Sequence, residues 1–328
     1  MCSRTPLRIS FFGGGTDYPE YFERKKGAIV GMAINRYIYI SLLQSISFLD
    51  YRYRLSYSKL EKTNRVDEIE HPVVRGVLKA FGVDRPLDIS IQSDLPANTG
   101  LGSSSSFTVG FIHLINTLLG RQQTKLDLAR EAIRVERDLL KERVGVQDQL
   151  HAAFGGINHF EFAKNRIRVT PLYMTTACQE LLADSLVLIY SGLTRHASET
   201  LKEQLDATKE KKLDASLEQM LVLTEQAVAV LEGSDPDAMI RELGSMLHEG
   251  WMVKKSLSSR ISNPKIDEIY EVARRNGAIG GKLSGAGGGG FLLMVVPPQH
   301  QGALEQAISP AQVVKIGLDV QGSTMIYS

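Results

Sequence analysis

Three glycine-rich segments, residues 13–15, 100–106 and 280–290, hold the groups of this 328-residue chain best suited to bind an anion. Glycine reaches positive φ and lets backbone N–H groups approach a ligand. Several such groups in succession form an anion nest, and a helix N-terminus adds its dipole. A tight turn is the plainer reading of any one segment, but three beside apolar runs weigh against it. The middle one, DLPANTGLGSSSSF over 94–107, is the strongest. It follows the alternating run LDISIQ and enters an apolar run that begins in serines. A helix starting near Ser103 or Ser104 would therefore aim free N–H groups at a loop of small residues, with no lysine required. A serine hydroxyl in that first turn can also ligate Mg²⁺, which takes oxygen donors together with phosphates. An ordinary N-cap explains one serine well and four in a row poorly.

Two familiar nucleotide motifs fail. The pattern G-x-x-x-x-G-K-[ST] does not occur, because Asn276 and Leu283 occupy two of its positions around Lys282. Gly285, Gly287 and Gly290 do match G-x-G-x-x-G, yet the strand-like FLLMVV follows where a dinucleotide site needs a helix. Those glycines are left as phosphate-approach or packing positions.

Phosphoryl transfer needs a metal ligand and a carboxylate near the nucleophilic hydroxyl. Glu136, in a helical run, and Asp148, just past a glycine turn, could supply them. A solvated helix face is the alternative for Glu136, and an N-cap for Asp148. Near the N-terminus, PLRISFFGGGTDY places Arg8 on a strand and Asp17 beyond the glycine turn, where it could bind sugar hydroxyls or cap the next helix.

The elements that must position these residues are readable from periodicity. Strands are expected over 4–10, in two runs between 28 and 58, and over 87–92. Helices are expected over 18–25, 71–81, from about 103, over 124–143 with a capping-box-like T-x-x-D start, and briefly around 147. INHFEF and RIRVTPLY read as a strand pair that would end a first domain, 1–172. A second, 173–328, holds the strand DSLVLIYSG and helices in the regions 196–210, 213–232, 236–257 and 264–275. The last of these has Pro264 at its start and Gly277 past its end. Strand-type runs close the chain. The organisation is α+β in two halves.

Composition narrows the class. At 43% hydrophobic and 23% charged the chain can build a globular core, and a net charge of +1 argues against a nucleic-acid or membrane-surface partner. Cys2 and Cys178 form neither a disulfide framework nor a metal-ligand spacing. With no signal-type or membrane-spanning stretch, a cytoplasmic protein is expected.

Taken together and in this order, the motifs resemble those of the GHMP small-molecule kinases. PLRISFFGGGTDY is similar to the sugar-kinase P-G-R…G-E-H-T-D-Y; Pro96, Gly100, Leu101, Gly102, Ser103 and Ser104 match the phosphate loop; KLSGAGGGGF matches the third motif. The resemblance spans nearly the whole chain and implies a two-domain fold with the active site in the cleft between the halves. Within the family the chain looks most like bacterial heptose kinases, on the stretches GVQDQLHAAFGGINHFEF, YSGLTRHAS and NPKIDEIYEVARRNGAIGGKLSGAGGGGF. That likeness implies ATP- and Mg²⁺-dependent phosphorylation of the C1 hydroxyl of D-glycero-D-manno-heptose 7-phosphate. Alternatives are a kinase for L-fucose or free mannoheptose, or a non-catalytic sugar and ATP sensor. A homodimer is compatible with it.

The resemblance also implies roles. Asp148 is the catalytic aspartate and Arg8 its partner. Ser104 and Glu136 are Mg²⁺ ligands. Pro96 and the loop from Gly100 through Ser105 (Leu101, Gly102, Ser103 and Ser104 between) hold ATP phosphates. Gly14, Gly15, Thr16 and Asp17 face the sugar, with Gly285, Ala286, Gly287 and Gly288 close to it. Gly14-Gly15 replace the Glu-His of galactokinase-type sequences, which implies a larger sugar pocket. A phosphorylated acceptor needs basic residues, and Arg195, Lys282, Lys254 and Lys255 are the candidates, each with a solvated surface position as the alternative. The Lys254-Lys255 pair is expected on the solvated surface.

Overall fold

The computed structural model describes residues 1–45, 50–164, 166–193, 198–258 and 260–327. Its first sheet is built on β1 (Cys2–Phe12) and the 18-residue β2 (Gly27–Gln44), which run antiparallel from Cys2↔Ser41 to Phe12↔Val30 with register shifts after Pro6 and Ser10. α1 (Pro19–Phe22) is the short helix between them. β2 is long enough to serve two partners. Its first part pairs with β6 (Ile157–Ala163) and its last part with β5 (Leu87–Ser93). β3 (Tyr53–Ser56) and β4 (Leu60–Thr63) extend the sheet beyond β5, and β7 (Arg166–Pro171) extends it beyond β6. α2 (Pro72–Phe81) ends on Gly82 in the left-handed conformation.

Three helices cover this sheet and carry the site. α3 (Ser103–Leu118) packs on β1, β2, α4 (Lys125–Arg134) and α5 (Gln147–Phe154), which is why its sequence is apolar nearly all round. Thr124 caps α4 by accepting from the Asp127 amide. The single helix expected over 124–143 is not what forms. After Arg134 the backbone widens into a π turn over Val135–Leu139, and Lys141 takes a left-handed φ of 58° that ends the helix. The widened turn directs Glu136 into the core, where it is fully buried.

The second sheet is antiparallel in the order β11 (Val313–Lys315), β8 (Leu186–Tyr190), β10 (Phe291–Val295), β9 (Gly280–Leu283). Around it lie α6 (Thr176–Ser185), α7 (Ser198–Lys209), α8 (Asp214–Leu231), α9 (Pro236–Ser256), α10 (Pro264–Arg275) and α11 (Pro298–Ala307). Periodicity missed α6 and α11. Both are short, and α11 has Gln, His and Gly where an amphipathic stripe would show. Two apolar clusters result. One joins the first sheet to the inner faces of α8, α9 and β10; the other surrounds Trp251 and Tyr270.

The chain end does not stay with the second sheet. Leu318 bridges to Ile34, Ser323 donates to the Ala152 carbonyl, and β12 (Thr324–Tyr327) pairs antiparallel with β1. The strand that carries Arg8 is thus flanked by β2 on one side and, at its Cys2–Arg4 end, by β12 on the other. Among the described residues no helix is long and apolar enough to cross a membrane.

Candidate active site

Arg8 lies in the middle of β1 and Asp148 in the first turn of α5. They meet as a bidentate pair, Nε donating to Oδ1 at 2.7 Å and Nη2 to Oδ2 at 2.8 Å. The remaining Nη1 donates to the Gly100 carbonyl at 2.6 Å, and the Arg8 amide to the Leu101 carbonyl at 3.1 Å. The phosphate-loop backbone is therefore fastened to the ion pair. Gly102, at φ 76°, is required here. A Cβ on it would sit 3.2 Å from both Arg8 Cγ and Asp148 Oδ2. Next to it α3 begins. Ser106 N makes its first helical bond, to the Gly102 carbonyl at 2.9 Å, so the amides of Ser103, Ser104 and Ser105 precede the ladder.

The third motif locks onto the same loop. Gly285 and Gly100 are both left-handed, and a Cβ on Gly285 would lie 2.7 Å from Gly100 Cα. The Phe291 amide donates to the Thr99 carbonyl at 3.2 Å. A cleft of ≈ 230 Å³ opens between the two halves, lined by Arg8, Asp148, Asp17, Ser103, Lys282 and Ala286 among others.

Asp17 is 1% exposed at one wall. It accepts from the Gly15 amide at 3.1 Å and from Gln147 Nε2 at 3.0 Å, and its own carbonyl takes the Val146 amide. Gly145 must be glycine to pass it, since a Cβ there would lie 1.9 Å from Asp17 Oδ2. Burial, and then the charge of Asp148, push the Asp17 carboxyl up to about 6. Below the wall, His151 is buried and donates from Nδ1 to the Gln147 carbonyl at 2.9 Å, bracing the start of α5. Burial holds this imidazole down to about 4.

Glu136 accepts from Ser105 Oγ at 2.9 Å and from Gln149, while its Oε1 has no partner. Burial raises it to about 7. The sequence suggested Ser104 beside Glu136, but the adjacent serine makes the contact. Successive residues on a helix point about 100° apart; Ser105 turns inward while Ser104 stays exposed at the cleft.

The other expected positions divide. Gly14, Gly15, Gly100, Ser104, Gly285 and Ala286 line the cleft. Gly14 has open space where a side chain would go, whereas the place of a Gly15 Cβ lies 3.0 Å from Gln204 Nε2 of α7. Thr16 is buried and its hydroxyl is engaged with the Gly13 and Ala28 backbone. Gly287 and Gly288 pack on Ile261 instead of the cleft, and Gly288 N donates to the Ile261 carbonyl at 3.0 Å. Pro96 is exposed away from the cleft, and its carbonyl accepts from Thr99 Oγ1 at 2.8 Å. Leu101 is buried. Arg195 lies outside the described residues.

The surface expectation fails for Lys254. Its ammonium faces the cleft and donates to the carbonyls of Leu283, at 3.3 Å, and Gly285, at 2.5 Å. Burial, then Arg8, bring it down to about 8. Lys255, one residue on, points away and pairs with Asp267 at 2.6 Å. Lys282 is buried at the cleft with Nζ on the Phe11 carbonyl at 3.0 Å; burial and the charge of Lys254 hold it well below the ordinary lysine range. Gln147 and Gln204 also escaped sequence reasoning, because neutral amides carry no signal until a fold brings them to a cavity.

Residues 65–156 match the family model for the GHMP kinase N-terminal domain, and residues 237–314 the model for the GHMP kinase C-terminal domain. The chain is 31% identical to a D-glycero-α-D-manno-heptose 7-phosphate kinase of Campylobacter jejuni, over 94% of this chain and 93% of that one. A galactokinase of Thermotoga maritima is 30% identical over about half of each chain, 49% of this one and 46% of that one. Among solved structures, a D-glycero-D-manno-heptose 1-phosphate kinase from Bacteroides thetaiotaomicron aligns over 100% of this chain and 99% of its own, with a TM-score of 0.73 and 25% identity.

Proposed function

The chain belongs to the GHMP kinase family and is a sugar kinase, and from that premise we propose that it transfers the γ-phosphoryl group of ATP, with Mg²⁺, to the C1 hydroxyl of D-glycero-D-manno-heptose 7-phosphate. The products are the 1,7-bisphosphate and ADP. The sugar oxygen forms the new bond to phosphorus, the bond to the ADP oxygen breaks, and the hydroxyl proton goes to Asp148. The observation that carries the reading is the bidentate Arg8–Asp148 pair, set against Gly100 and Gly102 where the phosphate loop enters α3. An aspartate there orients an acceptor hydroxyl toward an anion held by backbone amides and a helix N-terminus. Arg8 fixes the carboxylate and keeps its charge beside the transferred group.

The amides of Ser103 and Ser104 would bind nucleotide phosphates, and Asp17 would accept ring hydroxyls. Of the two expected Mg²⁺ ligands only the Ser104 hydroxyl lies at the cleft; Glu136 is buried off it, held by Ser105 and Gln149, so the pair does not form one cation site in this structure. A Mg²⁺ ion arriving with the nucleotide would supply positive charge to the phosphates, with the Ser104 hydroxyl as the ligand this chain presents at the cleft. The likeness to the Campylobacter enzyme supports a heptose phosphate as acceptor. The test is ADP release over a panel of heptoses, fucose, galactose and their phosphates, with wild-type protein and Asp148→Asn. Turnover with fucose or galactose above that with heptose 7-phosphate rejects the acceptor, and an Asp148→Asn variant within a few-fold of wild type rejects the proton assignment.

A further inference from the structure

We propose that Lys254 and Lys282 together form the seat for the acceptor's own phosphate monoester, separate from the backbone amides that serve the nucleotide. The inference rests on the kinase reading above and adds the groups that select a phosphorylated acceptor.

The two ammoniums converge on one cavity from different elements, Lys254 near the end of α9 and Lys282 on β9. Neither has a carboxylate within ion-pair distance among the described residues, whereas the neighbouring Lys255 does. Each is anchored only by carbonyls: Lys254 by two, Leu283 and Gly285, and Lys282 by one, Phe11. An ammonium has three N–H donors. Lys254 therefore keeps one and Lys282 keeps two, which matches the three terminal oxygens of a phosphate monoester.

The acids of the cleft offset this pair only in part: the charge of Asp17 reaches both lysines, but neither Asp17 nor Asp148 forms an ion pair with them among the described residues. Asp148 is occupied by Arg8 on both oxygens, and Asp17 is held by Gly15 and Gln147. Arg8, Lys254 and Lys282 face two aspartates, so the lining groups carry one more cation than anion. Two partly compensated ammoniums near one another are unfavourable until an anion joins them, and their depressed proton affinities fit that state. Position assigns the anion to the acceptor. Lys282 is tied to Phe11, just before the turn that carries Gly14 and Asp17, while the nucleotide loop presents its amides at the start of α3.

The experiment compares D-glycero-D-manno-heptose 7-phosphate with the dephosphorylated heptose as acceptors. It uses wild type, Lys254→Met, Lys254→Gln, Lys282→Met and the control Lys255→Met. Losing one charged donor to phosphate is worth about 100-fold. Wild type should prefer the phosphorylated acceptor. In Lys254→Met and Lys282→Met the ratio of kcat/KM with and without phosphate should fall by about that factor, through KM of the phosphorylated sugar. Lys255→Met should keep the wild-type ratio. Lys254→Gln retains a donor for the two carbonyls and should lose the preference with its thermal midpoint kept, separating charge from folding. Equal loss on both acceptors, or a fall in kcat alone, would place these lysines on the transferred phosphoryl and overturn the seat. If no sugar is phosphorylated, the kinase reading fails. The seat is then judged by calorimetry with inorganic phosphate: binding lost in Lys254→Met supports it, and no binding to wild type, or equal binding to both, rejects it.

Discussion

Two aspartates share the cleft and are held in opposite ways. Asp148 is gripped by a guanidinium on both oxygens. Asp17 is nearly inaccessible and is held by a backbone amide and a carboxamide, both neutral. A bidentate guanidinium aims a carboxylate at one place; neutral donors leave a buried carboxylate partly uncompensated, and the proton affinity of Asp17 rises. The first arrangement suits a group that must receive a proton at one place. The second suits a group that reads hydroxyls. Gln147 couples them, because it precedes Asp148 in the chain and donates to Asp17.

The largest expected effect breaks the charged arm of this contrast. Asp148→Asn should lower kcat about 10³-fold, as loss of a positioned general base does, with the thermal midpoint little changed; ADP release and a melting curve read both. Next comes Asp17→Asn. The native state raises the Asp17 carboxyl to about 6 from its ordinary 3.8. Native protein therefore holds more protons than unfolded protein between those values, and stability is lost as pH rises through that window. The loss is about 3 kcal/mol. Asp17→Asn should remove that slope from urea unfolding measured between pH 4 and 7.5, and a slope equal to wild type would refute the assignment. Because Asp148 contributes to the shift, Asp148→Asn should flatten the slope in part. Arg8→Lys should cost about 30-fold in kcat, since an ammonium cannot make the bidentate contact. The smallest effect is expected for Gln147→Leu. It should raise acceptor KM by about 5-fold, the worth of one neutral hydrogen bond, and lift Asp17 further, which the same pH series would show as a steeper slope.

What was legible in the sequence follows the range of the interactions. β1, β5, α3 and α5 come from local periodicity and glycine punctuation, and they carry Arg8, the phosphate loop and Asp148 to one place. The π turn at Glu136 was not legible, because its residues are good helix formers and the widening depends on tertiary packing. The surface position expected for Lys254, a candidate for the acceptor phosphate, failed for a related reason. The burial of one lysine and the exposure of the next are decided by how α9 is rotated against β9, which neither residue records. The serine that meets Glu136 depended in the same way on the phase of α3.

The closing strand β12 has a consequence for synthesis. Synthesis makes β1 long before β12, so the growing chain carries the Cys2–Arg4 edge of the arginine strand unpaired until β12 has emerged. The loop that Arg8 fastens can form early, but the outer edge of the sheet is completed only once β12 is made. An interrupted message would therefore yield a polypeptide holding every phosphate-loop residue together with an open, pairing-competent edge.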